Sequence, residues 1–201
     1  MTANRAETTP ELVVADLAAW RCWLADNATA SDGVWLVLAK KGTTHPTSLT
    51  YDEALDEALC YGWVDGQLAG GHEGTFRRRF TPRRARSTWS KRNIEIIERL
   101  VAESRMHPGG RAAVERAKAD GTWDAAYAGA ATMEMPDDFQ AVLGANRAAS
   151  EMFAQLDGAN RYAVLYRITT ARHPDTRARR IEQLVGMLAQ GKTIHPIRKR
   201  T

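Results

Sequence analysis

The spacing of apolar positions divides the chain into two kinds of sequence. Leu17, Trp20 and Leu24 recur at helical spacing behind Asp16, which predicts a capped helix to about Asn27. Val34-Trp35-Leu36-Val37-Leu38-Ala39 lies between Gly33 and Gly42 and predicts a buried strand. Thr50 and Glu53 have the spacing of a capping box, opening a helix that runs through Leu55 and Leu59 to Tyr61 and stops at Gly62. Two further strands, Trp63 to Ala69 and Thr75 to Thr81, flank the turn Gly70-Gly71-His72-Glu73-Gly74 and predict a hairpin ended by Pro82.

Beyond Pro82 the period becomes helical. A helix from Ser90 would put Ile94, Ile97, Leu100 and Val101 on one side, and Pro108-Gly109-Gly110 would break it. Arg111 to Ala119 follows as a helix, and Trp123 to Tyr127 as a short helical turn. One helix starts at Pro136-Asp137-Asp138. Two more follow the Asp157-Gly158 break, from about Ala159 to Arg172 and from about Asp175 to Gln190. Residues 1–10 and the basic tail from Gly191 are expected to be loose. The fold class is therefore α+β: a small antiparallel sheet with helices over 1–105, and a helical part over 106–201, packed as one unit.

Charge sharpens this division. Residues 1–76 carry 4 basic and 11 acidic side chains, residues 77–201 carry 24 and 13, and 77–94 holds eight Arg or Lys with no acid. Such a run attracts anions, whether phosphate groups, nucleic acid, acidic protein surfaces or the chain's own acidic half. No stretch approaches the roughly 18 apolar residues of a membrane-spanning helix, so no membrane insertion is expected. The N-terminus has no apolar h-region, and Cys22 and Cys60 cannot build a disulfide framework, so the expected address is cytoplasmic.

Several chemistries are disfavoured. No Gly-x-x-x-x-Gly-Lys-Ser/Thr loop is present, and Gly66, Gly70, Gly71 and Gly74 read as hairpin residues. The five histidines, His45, His72, His107, His173 and His195, are scattered without metal-ligand spacing, so no metal is expected. Cys60 ends a helix, where the dipole opposes a thiolate, and reads as core filling. No Gly-x-Ser-x-Gly elbow occurs. No cofactor is expected.

The segment from Arg77 to Asn93 is the strongest candidate site. Strand alternation puts Arg77 and Arg79 on one face and Arg78 and Phe80 on the other. Arg83 and Arg84 fall in the loop, followed by Ser87, Trp89, Ser90, Lys91 and Asn93 at the next helix start. Forked guanidinium donors beside hydroxyls and helix amides can bind an anion. The alternative is internal pairing with the acids of 52–65. Asp65, beside Trp63, reads as either an acid–base residue or an ion-pair partner of an arginine. Arg177 and Arg180, above the apolar stripe Ile181, Leu184, Val185 and Leu188, extend the basic surface or simply face water.

Several of these motifs form a familiar set. They are Gly33-Val34-Trp35-Leu36 with Lys40-Lys41, Glu57-Ala58-Leu59-Cys60-Tyr61-Gly62-Trp63-Val64-Asp65-Gly66, and Arg79-Phe80-Thr81-Pro82-Arg83-Arg84 with Ser87, Trp89-Ser90 and Asn93. Pro108-x-Gly110, Gly121-x-Trp123 and Ala171-Arg172-His173-Pro174-Asp175-Thr176-Arg177 complete it. From about Trp20 to Leu188 the chain resembles the bacteriocin-protection, YdeI or OmpD-associated (OmdA-like) family. Arg172 and Asp175 stand where the family pattern has Lys and Glu, and both keep the charge. The resemblance implies a link to envelope stress, porins or antimicrobial-peptide tolerance, with no catalytic residue or cofactor carried over.

The leading expectation is a non-enzymatic protein that binds a small anionic or phosphorylated ligand. Arg79, Arg83 and Arg84 would supply charge-assisted bonds, Ser87 and Ser90 hydroxyls, and Trp63 or Trp89 a stacking face. Nucleic acid is a special case that no known motif supports. The alternatives are an enzyme using Asp65 with the arginines, and a stress protein whose basic half docks an acidic partner.

Overall fold

The computed structural model describes residues 9–85 and 87–196. The segment 1–8, Arg86 and the end of the basic tail, 197–201, lie outside the described residues. In chain order the elements are β1 (Glu11–Leu12), α1 (Leu17–Asn27), β2 (Val34–Ala39), α2 (Tyr51–Cys60), β3 (Trp63–Gly70), β4 (Thr75–Pro82), α3 (Lys91–Ala102), α4 (Pro108–Ala119), α5 (Asp137–Gly144), α6 (Arg147–Ala154), α7 (Gly158–Thr169) and α8 (Pro174–Ala189). The class is α+β. The chain divides into two compact units, 1–89 with 93–125, and 126–201 with 90–92.

The first unit is built on a four-stranded sheet of order β1-β2-β4-β3. Strands β2, β4 and β3 are antiparallel, as the hairpin pattern predicts. The edge strand β1 is parallel to β2 and begins just after the segment expected to be loose. It is short, and it is held by the Trp35 amide donating to the Pro10 carbonyl at 2.8 Å. Helix α1 starts where Asp16 accepts from the Ala19 amide at 2.9 Å. Helix α2 starts at the predicted capping box of Thr50 and Glu53. The apolar faces of these helices and the sheet meet around Trp20, which is fully buried, stacked on Trp23 at 5.3 Å and tilted against Phe80 at 5.8 Å. Burying such rings supplies the largest apolar areas of the core.

The predicted break at Pro108-Gly109-Gly110 proves to be a helix start. Helix α3 ends at Ala102, Ser104 takes a left-handed backbone (φ 58°), and Pro108 is the first residue of α4. Proline suits a first helical position because its missing N–H has no partner there anyway. The glycines lie inside the first turn of α4, against the end of α2. Along α3 the buried residues are Asn93, Ile97 and Leu100, whereas Val101 points to solvent. Residues 121–125 form turns rather than a helix, and Tyr127 makes an isolated parallel bridge with Ser90.

The second unit is a helical bundle whose core includes Phe139, Phe153, Leu165, Ile168, Ile181 and Leu188. The helix expected from Asp137 onward is two helices. Asn146 adopts an extended backbone and caps α6 through the Ala149 amide at 3.0 Å. The Ser150 hydroxyl donates to the Leu143 carbonyl at 2.7 Å, satisfying an end of α5 across the break. The expected loose tail is anchored as far as His195, whose amide donates to Asn160 Oδ1 at 2.8 Å.

Candidate functional site

The local logic of β4 decides where its arginines go. Pairing of Val34 with Phe80 and Leu36 with Arg78 puts Arg78 on the buried-core face, at its rim. There Asp65 Oδ2 accepts from Arg78 Nε at 3.0 Å and from the Tyr51 hydroxyl at 3.0 Å, and Arg78 Nη2 lies 2.7 Å from the same oxygen. The Arg78 guanidinium also stands 4.9 Å over the Tyr51 ring. Burial raises the Tyr51 hydroxyl above its ordinary value, although the Arg78 bond pulls the other way. Asp65 thus occupies the ion-pair arrangement, its engaged oxygen shared between a phenol and a guanidinium. Arg79, paired with Trp35, lies on the opposite face of the sheet.

After Pro82 the chain leaves the sheet. The Arg83 amide donates to the Gly62 carbonyl at 2.9 Å, which fixes the loop to the end of α2. The Arg83 guanidinium stacks on Trp89 with 3.5 Å to the ring centroid, and its Nη1 reaches the Thr88 carbonyl at 3.4 Å. Trp89 packs in turn on Trp123 at 5.0 Å. Only 8% of Arg83 is exposed, so the Trp89 face stands in for much of the bulk water around its charge. Arg84 and Ser87 close a turn: the Ser87 amide donates to the Arg84 carbonyl at 3.1 Å, and the Arg84 amide donates to Ser87 Oγ at 3.1 Å.

These residues share a shallow depression with the last turn of α4. Arg83, Arg84, Ser87 and Trp89 line one side, and Arg116 and Thr122 the other. Asp120 also lines it, accepting from the Thr122 amide at 2.9 Å and from its hydroxyl at 2.6 Å. The volume is about 20 Å³, room for one water-sized group and not for a whole nucleotide. An anionic ligand would place a single oxygen-rich head there and leave its body outside.

Of the residues expected at the site, Arg83, Arg84, Ser87 and Trp89 are brought together. Trp63 is not available as a stacking face: it is fully buried, its indole N–H donates to the Ala28 carbonyl at 3.0 Å, and Trp23 meets it edge-on. Ser90 and Lys91 group with the second unit, where the Lys91 amide donates to the Tyr127 carbonyl at 2.9 Å. Asn93 is buried on the inner face of α3. Arg116, Asp120 and Thr122 were not anticipated. They lie some thirty residues further on, and only the docking of α4 brings them near.

A second charge cluster also escaped notice. Glu57, almost fully buried, accepts from Arg21 Nε at 2.9 Å and Nη2 at 3.0 Å, and from Arg105 Nη2 at 3.1 Å. Arg99 and Arg105 continue the network to Asp56 and Glu103. Burial pushes the Glu57 carboxyl up, but the bonds and charges of Arg21 and Arg105 outweigh it and hold the group below its ordinary value of 4.5. The basic residues of the second half are thus partly spent on the acids of the first.

A sheet-based unit of α+β type, followed by a helical unit, is the class that these observations define. Residues 12–113 match the model of a domain of unknown function (DUF8412), which spans just over half of the 201 residues, and the protein belongs to that family. Residues 132–191 match the model described as Bacteriocin-protection, YdeI or OmpD-Associated (OmdA), the family expected from the motifs. The motifs between Gly33 and Gly110 lie within the other match. No curated protein and no solved structure matches the chain.

Proposed function

We propose that the protein binds a small anionic ligand of the phosphate-monoester type, without transforming it, at the depression beside Arg83, Arg84, Ser87 and Arg116. The observation that carries this reading is the convergence of guanidinium groups from the β4–α3 loop and from α4 on one small concavity. The Arg83 fork is oriented in advance by Trp89, which lowers the entropy lost on binding. Asp120 lies on the same rim, with its carboxylate accepting from the Thr122 amide and hydroxyl. The OmdA description names bacteriocin protection. For this chain we extend it to a role in envelope or antimicrobial stress, exercised from the cytoplasm through a bound ligand.

The test is a thermal-shift panel of the whole protein with nucleoside monophosphates, sugar phosphates, inorganic phosphate, short RNA and a polyanion, at low and moderate salt. A ligand at 100 times its dissociation constant adds about 2.7 kcal/mol of stability. The reading requires a shift from a small phosphate ester that survives moderate salt and is lost in Arg84→Ala and Arg116→Ala. Shifts from polymers alone, erased by salt, would replace it with a general polyanion surface. No shift from any anion would overturn it.

A further inference from the structure

We propose a second ligand site, wholly within the helical unit, that takes a small aromatic anion in the groove between α7 and α8. The groove has a volume of about 450 Å³, within the usual range of roughly 300–1,000 Å³ for small-molecule sites. Its floor is Leu184 and Met187, and Tyr166 forms one wall. Arg167, Thr170, Arg180 and Gln183 complete the rim, and no carboxylate lines it.

The aromatic wall is fixed. Tyr166 packs edge-on against Tyr127 at 4.8 Å and lies 5.8 Å from Tyr162, one helical turn before it. A flat ring sliding over Leu184 and Met187 would meet a side chain already held in place. The cationic end is fixed as well. Arg180 Nη1 donates to the Arg167 carbonyl at 2.7 Å, one of the carbonyls left over at the end of α7. That single bond orients the fork without neutralising it, and among the described residues no carboxylate pairs with Arg180. Glu182, two positions on, projects from the far side of α8, because the helix turns about 200° over two residues.

Dimensions select the ligand class. From Arg180 to Met187 the groove follows α8 for about 10 Å. That length holds one fused ring system with an acidic substituent, whereas a docked peptide helix would need a longer trough. The polar groups lie at the Arg180 end and the apolar ones at the Met187 end, so the acid is placed on the guanidinium and the ring on the floor. Carboxylate, sulfonate and phosphate heads share this chemistry. The site uses no residue of the Arg83 depression and stands or falls separately.

The probe is 1-naphthoate, with 1-naphthylmethanol as its neutral counterpart, titrated into the intact protein and followed by two-dimensional NMR. Saturable one-to-one binding is expected, with shifts at 166–170 and 180–187. The acid should bind about tenfold more tightly than the alcohol, the usual worth of a charge-assisted bond. Arg180→Gln removes that preference. Because Arg180 also caps α7, the exposed Gln183→Glu serves as a second variant. It leaves the cap intact, adds a like charge, and should weaken 1-naphthoate about tenfold while sparing the alcohol. Equal affinity for acid and alcohol, an unchanged preference in Gln183→Glu, or the absence of saturable shifts at these residues would each overturn the site. Shifts confined to Arg84 and Arg116 would overturn it while supporting the first site.

Discussion

A Cβ on Gly110 would overlap the carbonyl oxygen of Cys60. The first turn of α4 is packed so closely on the end of α2 that only glycine fits there. Neighbouring positions repeat the constraint: a Cβ on Gly109 would stand 2.9 Å from the Tyr61 carbonyl oxygen, and one on Gly62 2.7 Å from that of Gly109. Gly62 also has a φ of +79°. The close approach lets the His107 amide donate to the Cys60 carbonyl at 3.0 Å, and the His107 ring stack on Tyr61 at 3.9 Å. Gly110→Ala should therefore destabilise the protein by about 3 kcal/mol or more, since both backbones must move. Gly186→Ala, in the interior of α8 with open space around it, should instead stabilise by about 0.5–1 kcal/mol. Urea unfolding of the two variants gives opposite displacements of the midpoint.

Acid sensitivity should trace to Glu57. Its folded-state value is depressed, so its contribution to stability is complete above the ordinary value of 4.5 and is lost as pH falls through the lower folded value. Stability should decline below about pH 4.5 for this reason. In Glu57→Gln that part of the decline disappears. The same variant should lose about 2–3 kcal/mol at pH 7, less than the full cost of breaking a buried pair, because Arg21 and Arg105 are exposed enough to regain water. Unfolding measured from pH 3 to 7 in both proteins decides it. An unchanged acid limb would assign the sensitivity to other carboxyls.

How far the sequence foretells these features depends on how local each one is. Asp16, Thr50 and Glu53 cap their helices through residues three positions away, so their spacing alone locates them. The hairpin of β3 and β4 is legible for the same reason. The break between α5 and α6 is not, although Asn146 caps α6 through the Ala149 amide three positions on, because Ala145-Asn146 carries no proline and the apolar period runs on across it. Pro108-Gly109-Gly110 looks like a breaker, and the need for glycine against Cys60 and Tyr61 arises from a helix some fifty residues earlier. Half of the candidate depression was visible as one basic run. Its other half, Arg116 and Thr122, depends on tertiary docking that no local pattern encodes. Arg177 and Arg180 were expected to spread over the surface. They cap the end of α7 instead, at the Ile168 and Arg167 carbonyls.

The two thiols should separate cleanly. Cys22 is exposed on α1, whereas Cys60 is buried and burial pushes its thiol up to about 11. A disulfide reagent at pH 8 should modify one thiol per native chain promptly, and two after unfolding in denaturant. Cys22→Ser should leave the native chain unreactive. Prompt modification of both thiols in the native protein would contradict the packing of α4 on the end of α2.

Arg177 gives the second unit a comparable anchor. It joins both oxygens of Asp138, in the first turn of α5, and donates to the Ile168 carbonyl at 3.0 Å. These bonds hold the Asp138 carboxyl below its ordinary value of 3.8. Arg177→Ala should cost about 1–2 kcal/mol, less than a fully buried charge-assisted bond contributes, since Asp138 stays partly solvated. Asp138→Asn should lose less, because the bond to Ile168 survives. Thermal unfolding of the two variants at pH 7 gives the ranking, and equal losses would mean that the Ile168 cap contributes nothing.

Asp65 offers the sharpest separation of a structural from a chemical role. Its Oδ2 takes the Tyr51 hydroxyl and the Arg78 guanidinium together, and 15% of the Asp65 side chain is exposed. Asp65→Asn removes the charge that Arg78 faces and should destabilise by about 2 kcal/mol, the usual worth of hydrogen bonds to a charged group. Tyr51→Phe removes one of the donors to that carboxylate and should lose about 1.5 kcal/mol. In the double variant the losses should fall short of their sum, because both act on one oxygen. Neither change should weaken the phosphate-ester shift, since Asp65 lies outside the depression that Arg83, Arg84 and Arg116 line. Were Asp65→Asn to abolish ligand binding at unchanged stability, the carboxylate would belong to the site and the ion-pair assignment would be wrong.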